Sequence, residues 1–185
     1  KIIAVSDVSG GICNPEGLNV PAILDYLSLN RKNLLKDYNE EGMSRITNEE
    51  LLEMDVRVLV PAALENQINA SNAHKIRAEV IVEAANGPVA ADADGILQDR
   101  GITVVPDILA NAGGVVVSYF EWVQNIQSVS WTEEEVNEKL KNIMDPAFEA
   151  VWDIAMKQNA TLRTGAYLIA VKRVVEAKAA RAIWP

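Results

Sequence analysis

The residues of this chain best suited to chemistry gather where apolar runs give way to small, polar turns. Pro106-Asp107-Ile108-Leu109-Ala110-Asn111-Ala112-Gly113-Gly114-Val115 is the fullest instance. Asn111 offers an amide donor and an acceptor, and two adjacent glycines would let a ligand approach the start of the following helix closely. Ala62-Ala63 and Ala85-Asn86-Gly87 repeat the pattern after two earlier apolar runs. Small residues at successive strand ends can line a groove for an extended cofactor, and Asn side chains can fix a carboxamide. The same residues also suit tight strand-to-helix turns. Three such turns on one expected sheet edge tilt the reading toward a groove.

Other chemistry is poorly served. Asp7 ends the first apolar run, where an acid can hydrogen-bond the ribose hydroxyls of a dinucleotide. Such an acid ordinarily follows a G-x-G-x-x-G loop by about 20 residues. No such loop occurs, and Ser9-Gly10-Gly11 lies on the wrong side of the strand. Taken alone, Asp7 is more simply a turn former. His74 is the only histidine, and Asp92, Asp94 and Asp99 lack a metal-ligand spacing. Cys13 stands far from that histidine in sequence, which argues against a catalytic thiol. Neither a nucleophile elbow nor a phosphate-binding P-loop is present.

The bulk properties narrow the class. A net charge of −9 over 185 residues argues against a nucleic-acid surface. A single cysteine excludes an internal disulfide framework and suits a reducing cytoplasm. The longest apolar run, around Val115 to Val117, is too short for a membrane span, and Lys1 opens a strand-like run rather than a signal peptide. A buried strand over residues 1–7 with nothing before it reads as a sheet that has lost a neighbour, and the chain as part of a longer protein.

The elements that must position the turns follow from periodicity. Strands are expected over residues 1–7, 56–60, 79–84 and 102–106, with Val8 to Gly17 as a turn-rich segment and Arg31 to Ser44 as a connector. Pro21 suits the first turn of a helix through Ile23, Leu24 and Leu27. Thr47-Asn48-Glu49-Glu50 is a capping box. After Gly114 the pattern turns helical: an apolar-rich helix to Val129, then a long amphipathic one opened by Thr132 and carrying Val136, Leu140, Ile143, Met144, Ala147, Val151 and Ile154 on one face. Pro146 is expected to bend that helix or start another. A last helix, from about Thr161 to Ala180, carries Tyr167, Leu168, Val171, Val174 and Val175. Trp122, Trp131, Trp152 and Trp184 read as packing or interface residues. Alternation of strand and helix predicts an α/β fold: a doubly wound, mostly parallel sheet over residues 1–130, with carboxyl-terminal helices over 131–185.

Several stretches, in order, resemble the glutamate dehydrogenases. They are Ala4-Val5-Ser6-Asp7, Pro61-Ala62-Ala63-Leu64-Glu65-Asn66-Gln67, Glu83-Ala84-Ala85-Asn86-Gly87-Pro88, the Pro106 to Val115 run, Val117-Ser118-Tyr119-Phe120-Glu121-Trp122-Val123-Gln124-Asn125 and Leu162-Arg163-Thr164-Gly165-Ala166-Tyr167. The resemblance covers essentially the whole chain and is to the carboxyl-terminal, nucleotide-binding part of such enzymes. It implies a Rossmann-like domain whose first βα unit is missing, and NAD- or NADP-dependent deamination of L-glutamate to 2-oxoglutarate and ammonia by a hexamer. Ser6 and Asp7 would then lie at the cofactor, Asp7 at its adenosine ribose. Ala62, Ala63, Ala85 and Asn86 would line the cofactor, and Asn111 would face nicotinamide and substrate. Val115 and Ser118 would meet the substrate side chain, the Ser118 hydroxyl donating to its γ-carboxylate. Asp7 leans toward NAD by repelling a 2′-phosphate. The family's glycine-rich loop, amino-terminal domain and catalytic lysine and aspartate are absent, so no catalytic residue is expected in this chain, and alone it should be inactive. The alternatives are a leucine, valine or phenylalanine dehydrogenase, for which the Ser118 hydroxyl would be wasted, or an inactive assembly or regulatory module.

Overall fold

A computed structural model describes residues 1–181; Trp184 lies outside the described residues. The chain forms two compact units, Lys1–Val56 with Lys75–Ala78, and Arg57–His74 with Glu79 onward. The boundary expected at residue 130 falls inside the second unit.

The first unit is built on an antiparallel sheet of strands β1 (Ala4–Asp7), β2 (Gly10–Cys13) and β3 (Ser44–Ile46). β1 and β2 form a hairpin with Ala4 opposite Cys13 and Asp7 opposite Gly10. The segment expected to be only turn therefore contains a strand, and the expected buried first strand is instead half-buried, with Lys1 and Ile2 exposed. Glycine misled the reading here. Gly10 takes a φ of 118°, but Gly11 sits in the sheet, where a Cβ would come within 2.9 Å of Ile46 Cγ1 and 3.2 Å of the Val5 carbonyl. Its missing side chain serves close cross-strand approach. β3 was likewise hidden at the end of the presumed connector.

Helix α1 (Val20–Leu29) has Pro21 in its first turn, and the Asn19 side chain accepts from the Ala22 N–H at 3.2 Å. It buries Ile23 against Ile12, Leu35 and Tyr38. The Arg45 guanidinium donates to the Leu35 and Tyr38 carbonyls, fastening the connector to the sheet. Thr47 and Glu50 form the expected capping box at the start of α2 (Asn48–Leu52), with bonds of 3.1 and 2.7 Å.

The second unit holds the expected parallel sheet: β4 (Val58–Leu59), β5 (Val80–Val82) and β6 (Thr103–Val105), in that order. Val58 lies opposite Val80, and Ile81 opposite Val104. Parallel pairing is thus confined to this unit, and β1 belongs to an antiparallel sheet. Helix α3 (Ala91–Asp99) precedes β6, and the short α4 (Asp107–Ala110) and α5 (Ala112–Gln127) follow it.

Helix α6 (Glu133–Gln158) opens on a second capping box, Thr132 with Glu135. It runs unbroken through Pro146, contrary to a new helix starting there. The carbonyl that Pro146 leaves without a donor belongs to exposed Asn142, where water can serve it. Val151 and Ala155 of α6 pack with Leu109, Leu162 and Ala166. Ile143, expected on the packed face, is exposed.

The last helix, α7 (Leu162–Ala180), corrects a further expectation. Tyr167, Leu168, Val171, Val174 and Val175 are all exposed, and the packed face is Leu162, Gly165, Ala166 and Ile169. These stand at i, i+3, i+4 and i+7, but two are small and carried little hydrophobic signal. Of the tryptophans, Trp131 packs edge-on to Phe120, whereas Trp122 and Trp152 are exposed. No helix among the described residues is long and apolar enough to cross a membrane.

Candidate functional site

The ends of β4 and β5 are tied side by side. The Pro61 carbonyl accepts from the Ala84 N–H at 3.1 Å and the Ala85 N–H at 3.0 Å. This leaves Ala62 and Ala63 exposed beyond β4, Ala85 buried, and Asn86 exposed beyond β5. Asn111 joins them from the far side of β6. Its Nδ2 donates to Asn86 Oδ1 at 2.8 Å and more weakly to the Ala85 carbonyl at 3.4 Å. Ala85, Asn86 and Asn111, chosen from sequence, are therefore one hydrogen-bonded group.

Asn111 occupies the cap position of α5, yet its side chain makes no capping bond. Capping would satisfy one of the unpaired amides at the helix start. With the side chain turned to Asn86, no side chain caps that helix start, the Gly114 N–H donating instead to the Asn111 carbonyl at 3.3 Å, and the helix dipole makes the spot favourable for negative charge. Gly114 opens it further: a Cβ built there meets nothing within 4 Å. Gly113 is less free, with Leu140 Cδ1 at 3.7 Å from its would-be Cβ. Val115 and Ser118, four and seven residues beyond Asn111, share its helix face and are exposed. The result is a polar surface set among small residues, with an amide pair at one end and a hydroxyl two turns along.

Ser6 and Asp7 belong to the first unit. Ser6 Oγ donates to Asn48 Oδ1 at 3.1 Å. Asp7 Oδ1 accepts from the Ser9 N–H at 2.7 Å and the Ser9 hydroxyl at 2.5 Å, and Oδ2 accepts from the Leu35 N–H at 2.9 Å. Burial works against its charge, but the Ser9 hydroxyl, the Leu35 and Ser9 amides and nearby Lys36 hold the carboxyl below its ordinary value of 3.8. A depressed value means that the carboxylate supports the hairpin in full above the unfolded value and loses that support as pH falls through the folded one. Asp7 is thus a turn-forming acid in its own right, and Oδ2 keeps acceptor capacity for a further donor.

A charged cluster that sequence reasoning passed over is bonded to this group. Glu83, at the end of β5, is fully buried. Its Oε2 accepts from the Asp107 N–H at 2.7 Å and its Oε1 from Arg163 Nη2 at 2.7 Å. Arg163 Nη1 reaches Asp107 Oδ1 at 3.4 Å. Its Nε lies 2.8 Å from Asp94 Oδ2 in a poor hydrogen-bond direction, so that contact is an ion pair. Asp107 Oδ2 in turn accepts from the Gly87 N–H at 2.8 Å, fixing the left-handed Gly87 (φ 56°) next to Asn86. Burial lowers the affinity of Arg163 for its proton, but hydrogen bonding and charge from Glu83, then the charge of Asp94, outweigh it and the net shift is upward. The available signal was Glu83 itself, an acid ending an otherwise apolar strand. Asp92, set aside as a metal ligand, instead accepts from the Ala70 N–H at 3.2 Å.

The family model described as Glutamate/Leucine/Phenylalanine/Valine dehydrogenase matches residues 1–182. The chain is 52% identical over 186 residues to an NADP-specific glutamate dehydrogenase of Halobacterium salinarum, covering 100% of this chain and 44% of that protein. It is 49% identical over 177 residues to a catabolic NAD-specific glutamate dehydrogenase of Bacillus subtilis, covering 96% of this chain and 41% of that one. Among solved structures, the hetero-hexameric glutamate dehydrogenase of Thermus thermophilus in a leucine-bound form superposes with a TM-score of 0.87 at 32% identity, over 100% of this chain and 42% of that chain. The chain thus spans less than half the length of the proteins it matches.

Proposed function

Because the chain belongs to the Glutamate/Leucine/Phenylalanine/Valine dehydrogenase family, we propose that it forms the cofactor-binding part of a glutamate dehydrogenase using NAD or NADP. The whole protein would oxidatively deaminate L-glutamate to 2-oxoglutarate and ammonia. The observation that carries this is the diverted Asn111 side chain, paired with Asn86 at the open start of a helix whose same face presents Ser118. Relatives at about half identity include both NAD-specific and NADP-specific glutamate dehydrogenases, so both cofactors are kept.

The residues present fit a nicotinamide. A carboxamide needs a donor and an acceptor side by side, which the two asparagines supply, and the space over Gly114 leaves room for a ring. When bound, the nicotinamide supplies the hydride acceptor at C4 for the hydrogen on the substrate Cα. This chain's own residues orient and discriminate. Asn111 and Asn86 fix the ring face. Val115 limits the room beside the substrate stem, and the Ser118 hydroxyl donates to the γ-carboxylate. A leucine or valine side chain has no use for that donor, and burying it unpaired would cost about 1–3 kcal/mol. Ser6 and Asp7 take the adenosine end, where the charge of Asp7 disfavours a 2′-phosphate. Ala62, Ala63 and Ala85 keep the floor low.

The finer fold reading is a Rossmann-like, doubly wound sheet whose first βα unit, with its glycine-rich loop, lies outside this chain. The parallel sheet with small-residue turns after each strand supports it. Residues 1–130 are assigned to cofactor binding and 131–185 to helices packing back on that domain. A hexamer is supported by the solved hetero-hexameric relative, and a reducing cytoplasm by the lone, buried Cys13.

The test is a direct assay. The full-length protein carrying this chain should reduce NAD or NADP with glutamate and much more slowly with leucine, while the 185-residue chain alone shows no turnover. A preference for leucine would defeat the substrate assignment. Failure of the full-length protein to bind either dinucleotide would favour an assembly module.

A further inference from the structure

One part-buried cluster in the second unit, centred on the buried Glu83, has more charge than packing requires. Three carboxylates, Glu83, Asp94 and Asp107, converge on the single guanidinium of Arg163. Buried ion pairs recover their desolvation cost poorly, and apolar side chains of similar volume often stabilise as well or better. An excess of two negative charges around one cation makes stability a weak explanation for the arrangement.

Geometry gives a better one. Glu83 closes β5, Asp94 lies on α3, Asp107 opens α4, and Arg163 stands in the first turn of α7. From Arg163 two paths lead to the Asn86–Asn111 pair. On the first, Arg163 holds Asp107, whose Oδ2 fixes the Gly87 amide and therefore the peptide following Asn86. On the second, Arg163 orients Glu83, whose other oxygen fixes the Asp107 amide and so the start of the short helix that ends at Asn111. Both asparagines of the pair are thus set by one side chain that touches neither. Arg163 also uses the directionality of its fork. Its three nitrogens address three different carboxylates, which an ammonium could not do with fixed geometry.

We propose that Arg163 is a positioning residue for the Asn86–Asn111 pair, setting the plane in which the nicotinamide carboxamide is read. The inference rests on the reading that this pair faces the nicotinamide. It predicts a selective defect: binding of the nicotinamide end suffers while the adenosine end is untouched. A displacement of about 1 Å in such a group costs up to about a hundredfold.

The test uses the full-length protein with Arg163→Met and Arg163→Lys, and Asp94→Asn as a milder variant on the partly exposed edge of the cluster. Three readouts are taken on each: KM and kcat with NAD or NADP, competitive inhibition by adenosine monophosphate as an adenosine-only probe, and hydrogen exchange of residues 84–90 and 107–112. The expected result is faster exchange confined to those two segments, with a rise on the order of tenfold or more in dinucleotide KM or an equal fall in kcat. The adenosine monophosphate inhibition constant should stay within about twofold, Arg163→Lys should recover only part of the loss, and Asp94→Asn should show the smallest defect. Loss of dinucleotide and adenosine monophosphate binding in parallel would show a merely structural role and overturn the proposal. Unchanged exchange or unchanged kinetics in Arg163→Met would also overturn it. If Arg163→Met does not fold, Asp94→Asn decides by the same readouts. Failure of the wild-type protein to bind dinucleotide is a different result, which removes the functional reading and this inference with it.

Discussion

Two helices of the second unit begin in nearly the same way and end up with opposite purposes. Helix α5 starts Asn111-Ala112-Gly113-Gly114, and α7 starts Thr161-Leu162-Arg163-Thr164-Gly165. At α7 the cap residue caps: Thr161 Oγ1 accepts from the Thr164 N–H at 3.1 Å. Its glycine is a packing residue, since a Cβ on Gly165 would lie 2.9 Å from the Val151 carbonyl and 3.1 Å from Ala155 Cβ. At α5 the cap residue makes no capping bond and reaches to Asn86, and the glycine at position 114 faces open space. One helix start is closed by its own side chains and its neighbour helix. The other is held open. Stability accounts for the first and leaves the second unexplained unless something binds there, which is why α5 carries the functional assignment.

The sharpest way to break this contrast is Asn111→Ala in the full-length protein. If the side chain serves a ligand, kcat should fall on the order of a hundredfold. The free energy of unfolding should move by less than about 1 kcal/mol, because only a half-exposed hydrogen bond is lost and no cap. A large stability loss with little kinetic change would make α5 an ordinary helix start.

The glycines test the same point with smaller effects. Gly165→Ala should destabilise by about 1–3 kcal/mol, since the α6 backbone cannot yield easily, and should leave the KM values of the folded protein unaltered. Gly114→Ala should do the reverse, gaining about 0.5–1 kcal/mol from helix propensity while raising the dinucleotide or glutamate KM. Thermal melts and steady-state kinetics on the two variants decide. Equal behaviour of both glycines would erase the distinction.

Legibility in the sequence followed the range of the interaction involved. The capping box at Thr47, Thr132 as the start of a helix, Pro21 in a first turn and the apolar runs that form β4, β5 and β6 rest on neighbours within a few residues, and all were read correctly. Gly11 was misread because its reason is a cross-strand contact with Ile46, which no local pattern reveals. The packed face of α7 was missed because Gly165 and Ala166 bury little area of their own. In the candidate site, Asn86 and Asn111 could be chosen for their chemistry and their place after strands. Their mutual bond, across 25 residues, could not. The Arg163 cluster was the least visible part, since Arg163 meets Glu83 from 80 residues away and either residue alone looks like an ordinary charge near a turn.

The central claim, that the start of α5 receives a ligand and the start of α7 does not, is tested most directly by hydrogen exchange on the full-length protein with and without NAD or NADP and 2-oxoglutarate. Ligand should slow exchange over residues 111–118 and leave residues 161–168 unchanged. Equal protection at both helix starts, or none at 111–118 with both ligands saturating, would contradict it.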